Sequence, residues 1–218
     1  VETLLDRGVA WVLSQLWVNV DRWPVAGENL LIETWPEAAS GTRIERRFRL
    51  LSGDGTVLGA AVTLWLVMDL ERRRPVRLPE YVTATFGTLV GPNRPQRLEP
   101  IAALEHPDFE QTLTVAYGDL DMVHHANNAA FVEWMVSCVA GSLWNTHDPA
   151  AIEVHYLAEC RLGDTIVSRC GSADDGDFPT AIHSLVRTAD GTEVARARSV
   201  WRPRAASGGR DQRSKIEN

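Results

Sequence analysis

Tyr117-Gly118-Asp119-Leu120-Asp121-Met122-Val123-His124-His125-Ala126-Asn127-Asn128-Ala129-Ala130-Phe131 carries two carboxylates, two imidazoles and two amides close together between two apolar segments. Upstream, 109–117 alternates apolar and polar residues, the period of a strand. Downstream, 129–144 reads as a helix with Phe131, Met135, Cys138 and Ser142 on its inner face and Val132, Val139 and Leu143 beside them, Gly141 weakening the last turn. A strand-to-helix junction offers unpaired backbone N–H groups beside proton-transfer side chains, which is what a hydrolytic site requires.

Outward from this junction the sequence is strand-rich. Residues 9–21, 30–35, 42–51 and 56–68 are β-branched, aromatic or alternating, and Ser52-Gly53-Asp54-Gly55 supplies a hairpin turn. Residues 1–8 read as the end of a helix stopped by Gly8. Beyond the central helix, strands are expected over 151–161, 164–170, 180–187 and 192–202. Landmarks recur between the halves: Gly27-Glu28-Asn29 matches Gly163-Asp164-Thr165, Asp54-Gly55-Thr56 matches Asp190-Gly191-Thr192, and Trp65 matches Trp201, each pair 136 positions apart (163 − 27). Three separated landmarks at one offset indicate two copies of a unit made of a strand, a long helix and four antiparallel strands.

This divides the chain into a first unit over 1–70, a linker over 71–107 rich in proline and arginine, a second unit over 108–203 and a disordered tail over 204–218. The first-copy counterpart of 117–128 falls before Val1, so that copy is expected to lack its first strand and most of its helix. With 44% hydrophobic residues in 218, the chain can bury a substantial core. No apolar run approaches the roughly 18 residues of a membrane span, no signal pattern opens the chain, and Cys138, Cys160 and Cys170 show neither disulfide nor zinc spacing. The chain is read as a reduced, cytoplasmic protein with no metal and no cofactor. A net charge of −7 argues against nucleic-acid binding. Local basic runs, Arg43, Arg46, Arg47 and Arg49 and again Arg72, Arg73, Arg74 and Arg77, suit either a solvated face or an acidic partner.

The tandem pattern, the Asp119-Leu120-Asp121 and His125-Ala126-Asn127-Asn128 motif, the Arg73-Arg74-Pro75-Val76-Arg77-Leu78-Pro79 segment and Glu159-Cys160 together resemble the acyl-acyl carrier protein thioesterases. The resemblance implies an α+β fold of tandem hot dogs, each a long helix wrapped by a curved antiparallel sheet. It implies hydrolysis of acyl-carrier thioesters to free fatty acid, with the acyl-phosphopantetheine-loaded carrier protein as partner. An acyl-CoA thioesterase and a catalytically silent acyl-binding protein are the alternatives. An uncovered first copy leaves a homodimer open.

Carried over by resemblance, Asp121, His125 and Glu159 are the catalytic set, Glu159 on the strand that follows the helix, and Cys160 is an alternative nucleophile. The family asparagine falls at Val123, which cannot hydrogen-bond through its side chain. Thioester hydrolysis needs a base for water and donors for the oxyanion. Glu159 or Asp121 is expected to serve as base, with His125 positioning water or donating to the carbonyl. Asn127 and Asn128 are expected to bind substrate through backbone N–H groups, and either is also a favoured helix N-cap. Asp119 and His124 read as turn and surface residues.

Overall fold

The computed structural model describes residues 8–80, 84, 100–173 and 176–204; the helix end expected over 1–7 and the tail from 205 lie outside them. The described strands are β1 (Val9–Val20), β2 (Leu30–Ser40), β3 (Arg43–Ser52), β4 (Val57–Asp69), β5 (Arg74–Val76), β6 (Phe109–Thr114), β7 (His147–Tyr156), β8 (Thr165–Ala173), β9 (Thr180–Arg187) and β10 (Glu193–Pro203). They form one antiparallel sheet in the order β2-β3-β4-β1-β7-β10-β9-β8-β6, with β5 paired to β4. The α+β class expected from the sequence is the observed one.

The two ends of this order mirror each other. Antiparallel β1 and β7 meet at the centre with Trp17 opposite Glu153, two residues that are themselves 136 positions apart (153 − 17). Gly27 and Gly163 both sit at φ +84°, and Gly55 and Gly191 also take positive φ, so these turns need a residue without a Cβ. Asp54 and Asp190 each accept the backbone N–H two residues on, from Thr56 at 3.0 Å and Thr192 at 3.1 Å. Trp65 and Trp201 each donate Nε1 at 2.9 Å to a hydroxyl two residues earlier, Thr63 and Ser199.

Four expected boundaries are corrected. β2 runs through Pro36 to Ser40; it is the outermost strand of the sheet, where a missing N–H costs no ladder bond, and a bulge between Pro36 and Ala38 absorbs the change. The helix expected over 129–144 is two: α1 (Asn128–Ser137) and α2 (Gly141–Thr146). Between them the Cys138 thiol points to the carbonyls of Ser168 and Phe109, and Trp144 Nε1 reaches back to the Val136 carbonyl at 3.1 Å. The Cys138 contacts to the sheet and the Trp144 bond back to α1 hold the bend, which falls just ahead of Gly141. β7 starts at His147 and stops at Tyr156, which leaves Glu159 and Cys160 in the loop after the strand. The segment read as linker opens with β5, zipped onto β4.

α1 lies across β8, β9 and β10. Its buried Ala130, Phe131, Trp134 and Met135 follow helical spacing and pack with Val154, Ile166, Leu185, Val194 and Ala197. Each large side chain removed from water contributes roughly 1.5–3 kcal/mol. Phe131 also stacks edge-on against Tyr156, with ring centroids 5.6 Å apart. The site loop is thereby attached directly to the core.

A polar chain crosses that core. Trp201 Nε1 donates to Ser199 Oγ, and Ser199 Oγ lies 2.8 Å from His183 Nε2. His183 Nδ1 is buried near the Met135 backbone without completing a hydrogen bond. Burial pushes the His183 pKa down to about 4. A lowered folded-state value means stability that is full above the unfolded value near 6.5 and is lost as pH falls toward 4. The contribution of this one residue is about 3 kcal/mol. Urea unfolding of the parent beside His183→Asn should show the pH dependence between 6.5 and 4 flattening in the variant; parallel curves would remove His183 as its source.

Candidate active site

The loop between β6 and α1 is closed by local bonds. Ala116 N–H bonds to the Asp119 carboxylate at 2.7 Å, capping the 3-10 turn Tyr117–Asp119. Asp121 Oδ1 accepts the backbone N–H groups of Val123 at 2.9 Å and His125 at 3.1 Å. Asp121 N–H in turn donates to the His125 carbonyl at 2.8 Å. His124 takes φ +61°, a left-handed conformation uncommon for a side chain of this size, and so turns the chain sharply enough to present His125. Asn127 Oδ1 caps α1 through Ala129 N–H at 3.0 Å, and its own N–H is committed to the Asp119 carbonyl at 2.7 Å. Asn127 therefore has no backbone N–H to offer a substrate. Asn128 N–H, first in the helix, lies where no intrahelical acceptor exists.

A second loop, after β7, is fastened beside the first. Ala126 N–H donates to the Cys160 carbonyl at 2.9 Å, and Arg187 Nη1 donates to the Glu159 carbonyl at 2.9 Å. Arg187 is itself held by Asp190 at 2.9 Å, a pairing that keeps the Asp190 carboxyl far below the ordinary carboxylate range. With its backbone fixed on both sides, Glu159 presents its two oxygens differently. Oε1 receives Arg73 Nη2 at 2.5 Å and Arg161 Nη2 at 2.8 Å, while Oε2 faces His125 Nε2 at 3.4 Å. The side chains of His125 and Glu159 are 36% and 33% exposed, within reach of water and of a substrate carbonyl.

The structure thus brings His125 and Glu159 together and turns Asp121 toward the loop backbone. Cys160 is fully buried in the core cluster, and burial raises its thiol to about 12. A thiol held in that state has almost no thiolate at neutral pH, so packing, not nucleophilic attack, is its part. Val123 is exposed, and its side chain lines a recess of ≈ 660 Å³ with Tyr117, Leu120, Asp121, Met122, His124 and Asn127. That recess lies outside the His125–Glu159 pair, neither of which lines it. Among the described residues no group of three or more His, Cys, Asp or Glu is placed to hold a metal ion, and no helix is long and apolar enough to cross a membrane.

Three residues at this site escaped the reading of the sequence. Arg73 lay inside an arginine run, Arg161 beside the motif, and Arg187 at a strand end with no local signal at all. Only the fold carries Arg73 and Arg187 to Glu159.

Solved structures of similar fold define the class. The 12:0-ACP thioesterase from Umbellularia californica superposes with a TM-score of 0.81 at 26% identity, over 92% of this chain and 76% of that one. An acyl-ACP thioesterase from Bacteroides thetaiotaomicron gives 0.75 at 23% identity, over 92% and 79%. At the level of sequence, the chloroplastic palmitoyl-acyl carrier protein thioesterase of Gossypium hirsutum is 28% identical over 93% of this chain and 52% of its own length. The family models for the acyl-ACP thioesterase N-terminal domain and C-terminal domain match residues 1–86 and 103–203 in succession. The chain belongs to the acyl-ACP thioesterase family. It spans about half the length of the curated relatives it matches.

Proposed function

We propose that this chain hydrolyses acyl-acyl carrier protein thioesters to free fatty acid and carrier thiol, and that the mirrored sheet is two hot-dog units of which the second holds the site. The observation that carries the reading is the free Oε2 of Glu159 facing His125 Nε2 at 3.4 Å beside the N-terminus of α1. Glu159 Oε2 takes a proton from water as the water oxygen bonds to the thioester carbon. His125 holds that water or the carbonyl, and Asn128 N–H at the positive end of the helix meets the charge that develops on the carbonyl oxygen. Collapse of the tetrahedral species breaks the carbon–sulfur bond, and the pantetheine thiolate leaves and takes up the proton. Relative to the sequence-based expectation, Asn127 N–H leaves the oxyanion set, Asp121 holds the loop backbone in place of serving as base, and Cys160 packs in the core.

The mirrored strand order, the Trp17–Glu153 pair on the pseudo-two-fold axis and the repeated turn and tryptophan contacts support the tandem reading. The carrier is favoured over coenzyme A by charge. Arg72 is 65% exposed and Arg161, beside Glu159, 62%, basic charge at the surface of an acidic protein. The β3 arginines Arg47 and Arg49, paired with Glu45 and Glu33, are less exposed at 41% and 50%. Exposed complementary charge speeds encounter and is weakened by salt. Long-chain acyl-carrier and acyl-CoA substrates should therefore both release free acid, and added salt should raise KM several-fold more for the carrier-linked one. Absence of free acid from either substrate sinks the hydrolase reading, and equal salt responses sink the carrier assignment.

A further inference from the structure

Arg73 is the last residue of the four-residue loop between β4 and β5, flanked by the paired Asp69 and Arg74, and the Asp69 carboxylate accepts the N–H groups of Glu71 at 3.0 Å and Arg72 at 2.8 Å. The loop places Arg73 at φ +50°. Glycine or asparagine meets that left-handed conformation at lower cost, so an arginine held there is retained against a local preference. Its side chain leaves the loop and ends on a carboxylate 86 positions away in the other half of the molecule. Arg161, two residues from Glu159, ends on the same oxygen.

Both guanidiniums choose Oε1. A carboxylate rotates freely about its last bond, and with neither oxygen distinguished either could face the imidazole. Two cations on Oε1 remove that choice and leave Oε2 toward His125. Arg161 is a sequence neighbour and moves with the same loop. Arg73 is anchored in the first half and so gives the orientation a fixed external reference.

We propose that Arg73 is a positioning residue that orients Glu159 for catalysis from the opposite half of the chain, an assignment that rests on the hydrolase reading above. Arg73 does not touch the reacting atoms; it acts through Glu159. Because its side chain is 65% exposed, solvent screens the pair and its contribution to folding is small. Its effect belongs in turnover.

Steady-state kinetics on long-chain acyl-carrier substrate should show Arg73→Ala lowering kcat about ten-fold, since sub-ångström misplacement of a catalytic group costs one to two orders of magnitude. KM should stay within about two-fold, the melting temperature should be unchanged, and Arg73→Lys should recover most of the loss. An unchanged kcat, or a raised KM with kcat intact as a docking residue would give, overturns the proposal. The second arm does not need turnover. The ring nitrogen resonances of His125 should shift in Arg73→Ala and return in Arg73→Lys; identical spectra in all three proteins overturn it. A parent that fails to hydrolyse thioesters while those resonances respond removes the hydrolase and leaves the clamp standing.

Discussion

Glu159→Gln should lower turnover on acyl-carrier substrate by about 10²–10⁴-fold, the range that general acid–base groups supply. The substitution keeps the shape of the side chain and can still meet Arg73 and Arg161 through its amide oxygen, but it takes no proton from water. His125→Ala should fall by a comparable factor, and the double variant should be little worse than either single one, because two groups that handle one water act as a unit. Asp121→Ala differs in kind. Its carboxylate holds the Val123 and His125 N–H groups, so its loss disturbs the loop and should appear in KM and stability as well as in kcat. Circular dichroism and turnover on the three variants separate these outcomes. Hydrolysis that survives Glu159→Gln and His125→Ala would move the chemistry elsewhere in the molecule.

Trp201→Ala should destabilise the protein by about 3–5 kcal/mol, the cost of emptying a buried aromatic site. The indole is fully buried with Cys138, Val139 and Cys170, its ring sits 4.8 Å edge-on from Trp144 of α2, and its Nε1 donates to Ser199. Removal opens a cavity beside Trp144 and Cys170 and takes from Ser199 Oγ its indole donor. Trp65 occupies the equivalent place in the first half and makes the equivalent hydrogen bond, but it is only half-buried. Trp65→Ala should therefore cost clearly less. Urea midpoints of the two variants measure the difference, and equal losses would show that full burial is not what makes Trp201 matter.

The parts of this molecule legible in its sequence are those with a short-range cause. Alternating apolar residues gave β1, β3, β4 and β9 nearly to the residue, because side chains of a strand must divide between two faces. Positive-φ glycines and Asp-Gly turns gave the repeat, since only glycine meets that geometry without strain. His125 and Glu159 came from motif resemblance. What was missed has long-range causes. The break after Ser137 is held by carbonyls on β8 and at the start of β6, and the course of β2 through Pro36 depends on its being outermost. Glu159 was placed on a strand because 151–161 continues the apolar pattern; β7 ends at Tyr156 where Leu157 and Ala158 turn to bond with Val194. The partners of Arg73 and Arg187 are not legible in the sequence, because a guanidinium carries no mark of the carboxylate or carbonyl it will find.

The β1–β7 seam also orders events in time. Most other pairs in the sheet join neighbours in the chain, whereas Gln15 and His155 are 140 positions apart. Bringing such distant segments together carries a loop-closure entropy that hairpins avoid, so pairing across the seam is slow relative to the meanders on either side. Arg73 reaches Glu159 only once that seam has closed. A chain whose second half has formed before the seam closes holds His125 and Glu159 but lacks the Arg73 contact, so the full set of ion pairs at Glu159 is completed only with the seam.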